Sequence, residues 1–272
     1  MSQARASGGS AEDSRQFYSN SDLYLRILSA RQETDYHSIL GAIRAYGGGG
    51  RALDYGCGVG LLSALLATRG YTVTGVDIST KFIEAAQGLY GSGPSVRFKV
   101  IGDLPLPFAE GEFDLIASSA VLEHCTDIAG ILLEFRRVLR TGGLLVIETP
   151  NMLSPLARMK LIADRITGRR ERFHRFGTPG FLLKSVVALA KKKLVRRPEF
   201  IYVDPRYGGF SEGDEDVSYL SNPLDFLYFL RSHGFAVLEL SRNVGAVRRW
   251  ISRHMPSIAG GVMVTARKLP LT

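Results

Sequence analysis

Only two cysteines, Cys57 and Cys125, occur in the 272 residues. That excludes a disulfide framework and points to a reducing, cytoplasmic compartment. No stretch approaches the length of apolar sequence a membrane-crossing helix needs. Residues 1–14 are rich in Ser, Gly and Ala without an apolar stretch, so a disordered tail is expected there and not a signal peptide. Two nucleotide signatures are also missing. Gly56, Gly58 and Gly60 fit Gly-x-Gly-x-x-Gly in neither register, because Leu61 or Ser63 stands where the last glycine would fall. No Gly-Lys-Ser/Thr closes the loop, which excludes a Walker phosphate loop. Acidic residues are scarce across 152–199. Residues 152–199 hold thirteen Lys/Arg against three Asp/Glu, a balance of +10, whereas the whole chain carries +8. The basic character therefore belongs to that segment, and it suits an anionic partner or a solvated helical face.

What is present is a hydrophobic fraction of 45%, enough for one sizeable core. Arg51 to Tyr55 reads as a short strand, Gly56 to Gly60 as a glycine-rich turn, and Leu61 to Thr68 as a helix. Such a turn lets a ligand approach the backbone. Asp54, just before it, would repel a pyrophosphate and suits a cation. Asp54-Tyr55-Gly56-Cys57-Gly58-Val59-Gly60 resembles the first motif of class I S-adenosylmethionine-dependent methyltransferases. The resemblance implies a Rossmann-like α/β fold: a seven-stranded, mostly parallel sheet with helices on both faces, its last strand antiparallel between the fifth and sixth. The cofactor implied is S-adenosyl-L-methionine, held in part by Asp54, Gly56, Gly58 and Gly60.

The rest of the pattern alternates strand and helix, as a parallel doubly wound sheet requires. Tyr71 to Asp77 reads as the second strand, and Asp77 can accept from ribose hydroxyls or cap the next helix. Ile78 beside it shares the cofactor assignment. After the third strand, Val96 to Ile101, the resemblance implies that Asp103 meets the adenine amine and Leu104 the ring; as a bare sequence, Asp103 is a turn residue. Phe113 to Ser118 is the fourth strand, residues 127–140 a helix, Thr141 to Gly143 a turn, and Leu144 to Thr149 the fifth strand. Ser118 and Ser119 lie where a methyl donor would face its acceptor. Leu122-Glu123-His124 is similar to the same place in ubiquinone- and menaquinone-type methyltransferases. His124 is a candidate general base there, or a packing residue. Residues 15–46 read as helical, and the resemblance makes Tyr18 an aromatic over the cofactor.

A departure of about 70 residues separates Asn151 from Ser221. The expected organisation is one domain over 15–272 with an insertion at about 152–220. Leu156 to Ile166 and residues 181–197 read as amphipathic helices with basic tips. They suit a lid, a grip on a phosphate, or a membrane interface. His174 and Tyr219 are candidate acceptor contacts. Glu212 to Asp216 reads as a solvated acidic loop, with no metal site expected. Ser118-Ser119-Ala120-Val121 stands where base-amine methyltransferases carry Asn/Asp-Pro-Pro-Tyr/Phe, which disfavours nucleic-acid bases. The expected activity is O- or N-methylation of a small metabolite, with a phosphorylated, glycan or lipid-linked acceptor in view. An RNA methyltransferase and a cofactor-binding module without turnover are the alternatives. The sequence does not fix the oligomeric state.

Overall fold

The computed structural model describes residues 11–167, 176–205, 216–240, 255, 257 and 260–270. Three helices come first: α1 Ala11–Asn20, α2 Asp22–Ser29 and α3 His37–Tyr46. Then strand and helix alternate: β1 Gly50–Tyr55, α4 Leu61–Ala67, β2 Tyr71–Asp77, α5 Thr80–Tyr90, β3 Val96–Val100, β4 Phe113–Ser119, α6 Ile128–Val138 and β5 Leu139–Pro150. The departure holds α7 Pro155–Ile166 and α8 Pro179–Val195, and the chain closes with α9 Pro223–Ser232, β6 Phe235–Leu240 and β7 Gly261–Lys268.

The seven strands form one sheet in the order β3-β2-β1-β4-β5-β7-β6. β7 runs antiparallel to both neighbours and the other described pairings are parallel. Both faces are covered. Ile39 and Ile43 of α3 and Leu62 and Leu66 of α4 seal one face against Ala52, Val73 and Leu115. Ile131 and Phe135 of α6 and Phe226 and Leu230 of α9 seal the other. Burial on both sides explains why the central strands read as nearly continuous apolar runs. Side-chain caps fix where helices begin: Ser79 Oγ accepts from Phe82 N, Asp127 from Gly130 N, and Asn222 from Leu224 N and Asp225 N.

Two boundaries differ from the sequence expectation. α1 starts at Ala11, inside the expected tail, with Glu12 and Asp13 in its first turn and Ser14 buried. Acidic residues favour a helix N-terminus, a local effect that bulk composition does not register. Thr141 to Gly143 lies within β5 and not in a turn between α6 and the strand. The pairing of β4 with β5 shifts register between Phe113 and Leu115, and Gly142 at φ +79° absorbs the irregularity. No described helix is long and apolar enough to cross a membrane.

Candidate active site

The glycine turn leaves the carboxyl end of β1, where ligands sit in open α/β sheets. Gly56 N and Cys57 N both donate to Val76 O, at 2.8 and 2.9 Å, which ties the turn to the end of β2. Gly56 has φ +75° and Gly60 φ +87°, both left-handed. A Cβ on Gly56 would come within 2.2 Å of Val121, and one on Gly60 within 2.6 Å of Phe98. Asp77, at the end of β2, locks the turn from the other side. Its Oδ2 accepts from Gly58 N and its Oδ1 from Ser79 N, each at 3.0 Å. Burial pushes the Asp77 carboxyl up, and these backbone donors hold it back.

The turn borders a cavity of about 290 Å³. Tyr18, Gly56, Gly58, Asp77, Ile78, Ser119 and His124 all line it, so seven of the residues singled out in the sequence converge on one wall. Tyr24, Ile27 and Leu28 of α2 and Phe82 of α5 supply much of its apolar surface.

His124 sits between two carboxylates. Its Nδ1 lies 3.2 Å from Asp216 Oδ2, and its Nε2 lies 3.8 Å from Glu123 Oε1. Asp216 is fully buried, and the same Oδ2 accepts from Tyr18 Oη and from Tyr24 Oη, the latter at 2.8 Å. Glu123 is buried as well, with Oε2 accepting from Thr149 Oγ1 at 2.7 Å. The Glu123 carbonyl accepts from Ser218 N and Tyr219 N, which pins the end of the insertion beside the histidine. Near the carboxyl end of β5, Glu148 accepts from Ser119 Oγ at 3.3 Å. Burial pushes Glu148 up to about 7, opposed by the Ser119 bond and the Arg31 charge and aided by Glu123.

Other residues singled out in the sequence lie off this wall. Asp54 and Ser118 do not reach the wall. Successive residues on a strand face opposite ways, so Tyr55 and Ser119 line the cavity while Asp54 and Ser118 point away. Gly60 caps α4 outside the wall. Ile101 takes the wall position expected of Asp103 and Leu104. Asp103 is exposed, 3.8 Å from Arg15 Nη2, and Leu104 packs on the main core. Tyr219 is fully buried in that core, with Oη donating to Asp225 Oδ2 at 3.0 Å, and does not touch the cavity. His174 lies outside the described residues. Asp216, read as part of a solvated run, is an interior residue. No described residue of α7 or α8 lines the cavity.

Asp54 gives a test of this electrostatic picture. Its Oδ2 accepts from Ser63 Oγ at 2.6 Å, yet burial pushes the carboxyl from 3.8 up to about 7, with the Asp77 charge adding to the rise. The folded chain therefore holds this proton more tightly than the unfolded chain. The ionised group costs nothing below about pH 4, and its cost grows as pH rises toward about 7, so stability falls across that window. Asp54→Asn should flatten the fall, gaining roughly 3–4 kcal/mol over the parent between pH 4 and 8. Urea unfolding across that range measures it, and parallel curves for the two chains would contradict the assignment.

Comparison with known proteins agrees with this geometry. Residues 53–147 match the family model described as "Methyltransferase domain". The chain is 36% identical over 105 residues to a ubiquinone biosynthesis O-methyltransferase of Thiobacillus denitrificans, covering 38% of this chain and 45% of that protein. It thus spans under half the length of this curated relative. An S-adenosylmethionine-dependent methyltransferase from Mesorhizobium loti superposes with TM-score 0.54 at 18% identity, over 89% of this chain and 100% of that one. The Haemonchus contortus phosphoethanolamine N-methyltransferase 2, in complex with S-adenosyl-L-methionine, gives TM-score 0.61 at 15% identity, over 97% and 61%. At these identities the structural likeness speaks for the fold. With its glycine turn, its sheet order and this matched segment, the chain carries a methyltransferase domain on the fold of the class I S-adenosylmethionine-dependent methyltransferases.

Proposed function

We propose that the chain binds S-adenosyl-L-methionine in this cavity and methylates a hydroxyl of a small, largely apolar molecule. The observation that carries the reading is the convergence of the glycine turn, Asp77, Tyr18 and His124 on one cavity. The wall suits the cofactor. It offers the carboxylates of Asp77 and Glu123 against the guanidinium of Arg31, a balance that favours a cation over a pyrophosphate. Asp77 would hold the ribose, and the backbone of the glycine turn would border the amino-acid end. The cofactor supplies an electrophilic methyl group on a sulfonium.

The protein's own residues then have three tasks. The aromatic and aliphatic wall excludes water, which strengthens charge interactions inside. The turn and Asp77 fix the donor's position. His124 Nε2 takes the acceptor's proton, while Asp216 keeps Nδ1 oriented and favours the protonated ring. That last task favours a hydroxyl over an amine, since a neutral amine already presents its lone pair. The O-methyltransferase names of the curated relatives support the same choice.

Calorimetric titration with S-adenosyl-L-methionine tests the cofactor half of the reading. Asp77→Ala should weaken binding by roughly 1–3 kcal/mol, on the scale of lost hydrogen bonds to a charged group. Unchanged affinity would refute the ribose assignment. Release of S-adenosylhomocysteine with a panel of small apolar hydroxyl acceptors tests turnover, and none with any hydroxyl or amine would leave a binding module.

A further inference from the structure

We infer that α7 and α8 form a docking surface for an anionic lipid bilayer. This goes beyond the proposed methyl transfer and does not depend on it. Each helix turns apolar side chains outward. On α8, Leu183, Val187, Ala190 and Leu194 recur at helical spacing on the face opposite the buried Ser185, Leu189 and Lys192. Leu183, Val187 and Leu194 are 65%, 58% and 85% exposed. On α7, Leu156, Met159 and Ile166 are exposed while Arg158 is buried. The two helices pack against each other.

α8 cannot roll to hide this stripe. Lys192 is fully buried and pairs with Asp225 Oδ1 at 2.7 Å, which fixes the inner face. Lys184 and Lys191 border the stripe on one side, Lys193 borders it on the other, and Arg196 and Arg197 follow the helix end. An apolar stripe flanked by lysines is the layout of a helix lying in a membrane interface: the stripe enters the acyl boundary, and the lysine stems extend toward the headgroups.

Charge complementarity selects the occupant. A second copy laid on this face would bring two cationic rims together, whereas anionic headgroups meet the rim while the acyl boundary takes the stripe. RNA would match the lysines but leave the apolar stripe uncovered.

The test is co-sedimentation of the full chain with vesicles of phosphatidylcholine alone and of phosphatidylcholine with phosphatidylglycerol. Binding to the mixed vesicles, weakened by salt and much weaker on phosphatidylcholine alone, is the expected result. Leu183→Glu, Val187→Glu and Leu194→Glu together should reduce the affinity by more than about tenfold, since buried methylenes drive interfacial binding. Their exposure lets the chain keep its thermal midpoint, which is measured in parallel. Lys184→Gln with Lys193→Gln should weaken binding roughly fivefold per charge removed.

Failure to bind the mixed vesicles, equal binding to both kinds, or binding that survives the triple substitution would each overturn the proposal. So would a dimer, seen by sedimentation velocity, that the triple substitution dissociates. Salt-sensitive binding to RNA without binding to vesicles would overturn it in favour of a nucleic-acid surface.

Discussion

Asp225→Ala is expected to lower stability by about 3–5 kcal/mol, the scale for leaving an uncompensated charge inside a protein. Asp225 and Lys192 are both fully buried. Lys192 Nζ lies 2.7 and 2.9 Å from the two carboxylate oxygens. Glu199 N donates to Oδ1 at 2.9 Å, and Tyr219 Oη and Asn222 Nδ2 donate to Oδ2 at 3.0 and 2.6 Å. Burial pushes the carboxyl up, and the Lys192 charge is the largest influence opposing it. Removing the carboxylate strands the ammonium with the Glu199 carbonyl and leaves two side-chain donors without their acceptor. This hub joins α8 to α9 beside the small core of Met152, Leu153, Leu189, Val217 and Leu224. Loss of the pair should therefore loosen the insertion before the sheet, and with it the seat of Asp216. Adding Lys192→Met to Asp225→Ala should recover part of the loss, because the second charge is then gone as well. Urea unfolding followed by circular dichroism measures both chains. A single-substitution loss below about 1 kcal/mol, the usual ceiling for an exposed ion pair, would mean that water reaches the hub.

That hub and the cavity were legible in the sequence to different degrees, and the difference is physical. The glycine turn and Asp77 could be read because their chemistry is local: backbone conformation, spacing and one charge at a strand end. α9 could be placed at Pro223 because Asn222 and Pro223 are start signals that need no tertiary partner. Asp216 could not be read. It lies 92 residues from His124 and sits in an acidic run that, by composition, belongs in water. Only the fold reveals that Tyr18, Tyr24 and His124 all meet it. Tyr219 misled for the converse reason. An aromatic beside an expected site looks like a wall residue until packing and Asp225 claim it. Ile101 is buried on the cavity wall while Asp103, two residues on, is exposed beside Arg15, a difference that spacing alone does not show. Lys192 resembled its neighbours in a run of three lysines, and only the helix phase relative to the core separates it from Lys191 and Lys193.

His124→Ala should lower turnover by about 10²–10⁴-fold while leaving affinity for S-adenosyl-L-methionine nearly unchanged, the range a positioned general base contributes. The two readouts separate the roles open to this residue. His124 borders the cavity, so a mere packing role would disturb donor binding and turnover together. A base removes only what the transition state needs. Asp216→Asn is the companion. It keeps the size of the side chain next to Nδ1, but an amide that donates to Nδ1 leaves the ring proton on Nε2, so turnover should fall toward the His124→Ala level. Acceptor acidity supplies an independent check. A hydroxyl already ionised at the assay pH needs no base, and the His124→Ala deficit should shrink toward parity with such acceptors. Turnover of the parent chain should rise with pH and level off once the ring is neutral, and the alanine chain should lose that limb. If His124→Ala turns over a weakly acidic hydroxyl at the parental rate, His124 is a wall residue. The sulfonium's own leaving ability, with the positioning and dryness set by the glycine turn, Asp77 and the aromatic cover, would then account for the whole of the catalysis.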